Sequence, residues 1–78
     1  MTDDHDRAQL GLLLRLLRTE RDVTQVELAE RIGLPQPRIA EIESGRREVR
    51  ALELFDVLEA LGVSMNTFWR RWQTGPID

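Results

Sequence analysis

Apolar residues recur at helical intervals in five stretches of the chain, each bounded by residues that cap or break helices. Between Arg7 and Glu20, Leu10, Leu13, Leu14 and Leu17 share one stripe, which predicts a first helix with Asp4 or Asp6 as N-cap. A second helix is predicted from Thr24. Its hydroxyl can cap the Glu27 amide while the Glu27 carboxylate reaches back, the reciprocal pattern of a capping box. Val23 and Leu28 form the accompanying hydrophobic staple, and Val26, Leu28, Ala29 and Ile32 carry the helix to Gly33, a residue suited to the left-handed end of a helix.

Pro35 and Pro37 resemble helix breakers, yet first-turn amides lack intrahelical partners, so proline is tolerated there. A third helix is therefore expected from about Gln36, with Ile39 and Ile42 buried and Ser44-Gly45 as its end. Leu54, Val57, Leu58 and Leu61 define a fourth helix closed by Gly62. Ser64 caps a fifth, which holds Met65, Phe68, Trp69 and Trp72 at steps of three, four and seven. The implied organisation is a flexible acidic tail over residues 1–6, a folded domain over 7–73 and a C-terminal tail over 74–78.

Seventy-eight residues make one domain. At this size only about 60% of the unfolded surface becomes buried, so stability rests on helix propensity or on a partner subunit. Cysteine is absent, which excludes disulfides and thiolate metal sites. His5 is the sole histidine and has no second ligand beside it, so no metal is expected. The carboxylates Glu27, Glu30, Glu41, Glu43, Glu53 and Glu59 are scattered, with no nucleophile or glycine-rich phosphate loop nearby, and neither catalysis nor a cofactor is expected. No apolar run approaches the roughly 20 residues of a membrane span, and the N-terminus is acidic where a secretion signal is basic. A cytoplasmic location is expected.

A net charge of −3 argues at first sight against a nucleic-acid partner. Its distribution changes that reading. Asp3, Asp4, Asp6 and Asp78 lie at the ends, and removing those four of the 14 acids leaves ten against eleven bases. Every base is arginine, the side chain suited to bidentate contact with phosphate and guanine, although arginine bias also accompanies GC-rich genomes.

Only Gly33-Leu34-Pro35 joins the second and third helices, which forces a sharp turn and brings Ala29, Leu34 and Ile39 together. That is helix-turn-helix geometry, in which the start of the second helix enters the major groove. Thr24-Gln25-Val26-Glu27-Leu28-Ala29-Glu30-Arg31-Ile32-Gly33-Leu34, then Ile39-Ala40-Glu41-Ile42-Glu43-Ser44-Gly45-Arg46-Arg47, resembles the phage repressor and Cro type of regulator, the XRE family. The likeness continues through Leu61-Gly62-Val63-Ser64 and spans roughly residues 10 to 68.

The resemblance implies an all-α, five-helix, lambda-repressor-like fold and a transcriptional regulator, chiefly a repressor, that binds double-stranded DNA. It also implies roles for matching positions. Gln25 would hold a phosphate and brace Gln36, which would pair bidentately with adenine. Arg38 would face the groove as a guanine or phosphate ligand, and Glu41 would accept from a cytosine amino group. Arg46 and Arg47 match the loop of phosphate contacts, and Thr24 and Ser44 complete the DNA-facing set. Arg18 and Glu43 match a structural salt bridge between the first and third helices.

Three departures from the family pattern stand out. Pro35 replaces a capping serine or threonine, and Pro37 replaces a residue that often touches a base. Leu12 and Leu16 fall about 200° and 240° round the first helix from Leu10, where charged residues are usual. They offer a contact face for a subunit or partner. Phe68, Trp69 and Trp72 are expected at a homodimer interface, with Trp72 foremost, which would place two recognition helices on a pseudo-palindromic operator. The competing reading is a protein-binding adaptor or antitoxin on the same scaffold. Acidity and the two prolines favour it; Gln25, Gln36 and the arginines oppose it.

Overall fold

The computed structural model describes residues 4–75, and among them forms five helices and no strand: α1 (Asp4–Thr19), α2 (Gln25–Ile32), α3 (Gln36–Glu43), α4 (Ala51–Leu61) and α5 (Met65–Thr74). The outermost parts of both expected tails, residues 1–3 and 76–78, lie outside that range. Helix α1 starts earlier than its leucine pattern implies. Residues 4–6, expected as tail, form its first turn, so Asp4 and Asp6 lie within the helix. There their carboxylates face the positive end of the helix dipole, and Asp4 pairs with Arg7 one turn on. At the other end, α5 extends to Thr74, one residue past the expected domain limit.

Each helix contributes its apolar stripe to one core. Leu13, Leu14 and Leu17 of α1 meet Leu28 and Ala29 of α2, Ile39 and Ile42 of α3, Val57, Leu58 and Leu61 of α4, and Phe68 of α5. Val23 and Val63, just ahead of α2 and α5, are buried with them. The capping box of α2 is present, with the Glu27 amide donating to Thr24 Oγ1 (3.0 Å) and the Thr24 amide donating to Glu27 Oε1 (2.9 Å). Gly33 ends α2 at φ 73°, and the Leu34 amide returns to the Ala29 carbonyl at 3.0 Å. That closure sets the angle at which α3 departs.

The seat of α3 is fixed from below by α1. A Cβ placed on Gly11 would lie 2.4 Å from the Ile42 carbonyl oxygen and 2.6 Å from that of Glu43. Only a residue without a side chain lets α1 pass this close to the C-terminal turn of α3. Helix α3 thus rests on α1 and α2 and turns its remaining side outward.

Candidate nucleic-acid interface

Pro35 occupies the N-cap of α3 in an extended conformation (φ −64°, ψ 143°) and supplies no side-chain cap. The helix is nonetheless regular from Gln36, because the Arg38 amide donates to the Pro35 carbonyl at 3.0 Å and Pro37 needs no such bond. On the outward side, Gln36, Pro37, Ala40, Glu41, Ser44 and Arg46 line one shallow, open concavity. The polar side chains of Gln36, Glu41, Ser44 and Arg46 share it with the small apolar faces of Pro37 and Ala40, a mixture that base edges and thymine methyl groups match.

Behind this surface runs a continuous hydrogen-bonded chain. Arg18 grips Glu43 with two bonds, Nε to Oε2 at 2.6 Å and Nη2 to Oε1 at 2.9 Å, while its Nη1 donates to the Val23 carbonyl at 2.7 Å. The Glu43 side chain is only 4% exposed. Hydrogen bonding to that carboxylate raises the Arg18 pKa above its ordinary value against the opposing effect of burial. Glu43 Oε1 also accepts from Gln25 Nε2 at 3.0 Å, and Gln25 Oε1 accepts from Gln36 Nε2 at 2.7 Å. The expected brace between the two glutamines and the expected Arg18–Glu43 pair are parts of one network.

Arg38 requires a correction. Expected to face the groove, it turns instead to α4, with Nη2 2.6 Å from Glu53 Oε1, Nε 3.2 Å from Glu53 Oε2 and a further bond to the Glu48 carbonyl. The physical reason is local. Glu53 already accepts from the Arg50 amide at the start of α4, so its carboxylate is held where a guanidinium can take it bidentately, away from solvent. Those bonds hold the Glu53 carboxyl below the usual glutamate range.

The remaining expected residues stay near the surface. Glu41 pairs with Arg47 (3.1 Å) across the end of α3, so both carry a partner before any ligand arrives. Arg46 is exposed, with no ion pair to another described residue. Thr24 spends its oxygen on the α2 cap, and Ser44 Oγ donates to the Glu41 carbonyl (3.2 Å). Sequence reasoning missed Arg15. It is exposed on α1 and lines a recess with Gln25, Ala40 and Ser44, which extends the basic edge beside α3. Its position four residues after Gly11, on the helix that underlies α3, was the available signal.

Of the three expected interface aromatics, Phe68 is corrected to the core: it is 7% exposed and packed among the leucines of the bundle. Trp72 is half-buried against that core, so the expected emphasis on it also shifts. Trp69 is the outward member at 53% exposed; Leu52 and Phe55 of α4, Met65 of α5 and Val26 of α2 are the other large apolar side chains left exposed among the described residues. Leu10 and Leu54 join Trp69 and Trp72 around an open apolar pocket between α1, α4 and α5. Leu12 and Leu16 are half-buried and lie outside the core cluster. Among the described residues, no group of three or more histidines and carboxylates is placed to hold a metal, and no helix is long and apolar enough to cross a membrane.

The helix-turn-helix family profile matches residues 14–68. An uncharacterised transcriptional regulator in the ATPase CF(0) region of Rhodospirillum rubrum is 34% identical over 74 residues, which is 95% of this chain and 68% of that protein. An uncharacterised helix-turn-helix-type transcriptional regulator of Sinorhizobium fredii, y4dJ, is 36% identical over 58 residues, 74% of this chain and 75% of its own length. The crystal structure of the clp gene regulator ClgR from Corynebacterium glutamicum superposes with a TM-score of 0.81 at 35% identity, covering 87% of this chain and 88% of that one.

Proposed function

This chain belongs to the helix-turn-helix family of phage repressor and Cro type, and on that premise we propose that it is a sequence-specific DNA-binding transcriptional regulator, acting as a repressor and as a homodimer. Helix α3 lies in the major groove. Gln36, at its leading end, reads adenine, and Glu41 accepts from a cytosine amino group after releasing Arg47. Arg46, Arg47 and Arg15 neutralise phosphates along both edges of α3, with Gln25, Thr24 and Ser44 supplying further polar contacts to the backbone. Arg38 serves as a strut between α3 and α4. The protein has no catalytic role in this reading and works in the cytoplasm, on double-stranded operator DNA.

The observation that carries the reading is the Gln25–Gln36 bond at 2.7 Å, which holds a base-reading amide in place before DNA arrives. A selected pool of bound DNA identifies the operator, and single-base competition then separates the roles. Gln36→Ala should lose discrimination of ~1–3 kcal/mol at one base pair and leave the others unchanged. Arg46→Ala should weaken all sequences alike and lower the salt slope by about one contact. Gln36→Ala with undiminished preference at every position would remove that residue from base reading.

A further inference from the structure

Glu43 does not touch the outward face of α3, yet it dictates which atoms Gln36 can offer there. A carboxylate clasped by a guanidinium presents acceptors only. Gln25 must therefore turn its amide nitrogen to Glu43 Oε1, as it does at 3.0 Å, which leaves its oxygen toward Gln36. Gln36 in turn must give a nitrogen-bound proton to that oxygen, as it does at 2.7 Å. What remains free on Gln36 is its oxygen and its second N–H, an acceptor beside a donor.

We infer that the buried Arg18–Glu43 pair is a specificity-determining element, which fixes the donor–acceptor order of Gln36 and so makes it read adenine and reject guanine. The inference rests on the proposed base-reading role of Gln36. Adenine shows an N6 donor and an N7 acceptor in the major groove, the complement of a free oxygen and N–H; guanine shows two acceptors, O6 and N7. An unrestrained glutamine can turn its amide over and tolerate either purine. Here that turn would set Gln36 Oε1 against Gln25 Oε1. Turning both amides would set Gln25 Oε1 against the Glu43 carboxylate, which is 4% exposed, so that little solvent reaches it to soften the clash. Glu43 is thus a positioning residue that acts through two amides, and Arg18 holds its carboxylate in register at 2.6 and 2.9 Å.

The test inverts the polarity while keeping an ion pair. In the double variant Arg18→Glu/Glu43→Arg, the group facing Gln25 becomes a donor, so Gln25 presents its nitrogen to Gln36 and Gln36 is left with both N–H donors. At the base pair whose preference Gln36→Ala erases, the adenine-to-guanine affinity ratio should fall by about tenfold or more, toward guanine. A folded double variant that keeps the parent ratio overturns the inference. Should the double variant fail to fold, Gln25→Lys poses the same question with Arg18–Glu43 intact, because an ammonium offers Gln36 only donors and demands its oxygen. Gln25→Lys with the parent ratio also overturns it. The two levels separate cleanly: loss of preference in Gln36→Ala with no shift in either polarity variant removes the relay alone, whereas an unaltered Gln36→Ala removes the base-reading role beneath it.

Discussion

Glu43 and Glu53 each hold an arginine bidentately, one beneath the C-terminal turn of α3 and the other beside its first turn. Their consequences differ. The Glu43 pair leads through Gln25 to Gln36, the residue proposed to read a base, while the Glu53 pair draws Arg38 toward α4. Arg38→Met is therefore expected to keep the base preference of the parent and to lose stability, as competition binding and thermal melting would show; altered preference at one base pair would restore Arg38 as a ligand. Acidity offers a second handle. Bonds from Arg38 hold Glu53 below its ordinary value of 4.5 against the opposing effect of burial. A folded value below the unfolded one means that the contribution is complete above that ordinary value and is lost as pH falls through the folded value. Glu53→Gln should accordingly be less stable than the parent at neutral pH, with the gap narrowing as the pH falls below the ordinary glutamate range, by chemical denaturation in a series of buffers. Glu20, lowered chiefly by its bonds from Arg71, and Glu27, lowered chiefly by the Thr24 amide, act on the same acid limb, so the parent itself should weaken across that window.

Glycines in two different settings separate the forces that place α3. At Gly33 the backbone is left-handed and nothing lies within 4 Å of an added Cβ, so Gly33→Ala costs only the conformational term, about 1 kcal/mol. At Gly11 the obstacle is the backbone of α3 itself, which cannot step aside as a flexible side chain would. Gly11→Ala should cost more, of the order of 1–3 kcal/mol for an overpacked contact, and should also tilt α3 and weaken DNA binding beyond the loss of fold. Melting curves with the two variants side by side check the order; equal shifts would mean that α1 and α3 separate freely. This contrast also marks how much was legible in the sequence. Stripe spacing, the Thr24 capping box and the Gly33 stop are local signals, and they located all five helices and the turn that launches α3. The start of α1 stayed open between Asp4 and Asp6 because both are as favourable inside a first turn as before it. Arg38 and Gly11 were misread or passed over because their partners, Glu53 and the Ile42 carbonyl, approach only when separate helices pack. Gln25 and Gln36 were legible through family resemblance, but their link to Glu43 was not.

At the scale of the whole molecule, net charge of −3 and a DNA-binding surface coexist because many arginines cancel against the acids that hold them, which leaves the charge beside α3 to its unpaired arginines. Arg7, Arg18, Arg38, Arg47 and Arg71 all stand in ion pairs, whereas Arg15 and Arg46 flank α3 from opposite sides. Few phosphate contacts per subunit favour two subunits acting together, and the outward apolar groups of α4 and α5 are the surface we propose for that. Phe68 and Trp69 are neighbours in sequence with opposite exposures, 7% and 53%, and substitution at each should separate folding from assembly. Phe68→Ala removes a core ring and should cost ~3–5 kcal/mol, much of the stability of a domain this small. Trp69→Ala should change the melt little, yet convert a dimer to a monomer in sedimentation at micromolar concentration. The DNA consequence follows from the two-fold symmetry of the proposed homodimer. Recognition helices about 34 Å apart engage half-sites one helical turn apart, so the parent should lose affinity steeply when half a turn of DNA is inserted between them. The Trp69→Ala monomer binds one half-site at a time and should be indifferent to that insertion while retaining the adenine preference of Gln36. Equal sensitivity of both proteins to the insertion would place the dimer contact elsewhere, with the half-buried Leu12 and Leu16 of α1 as the next surface to alter.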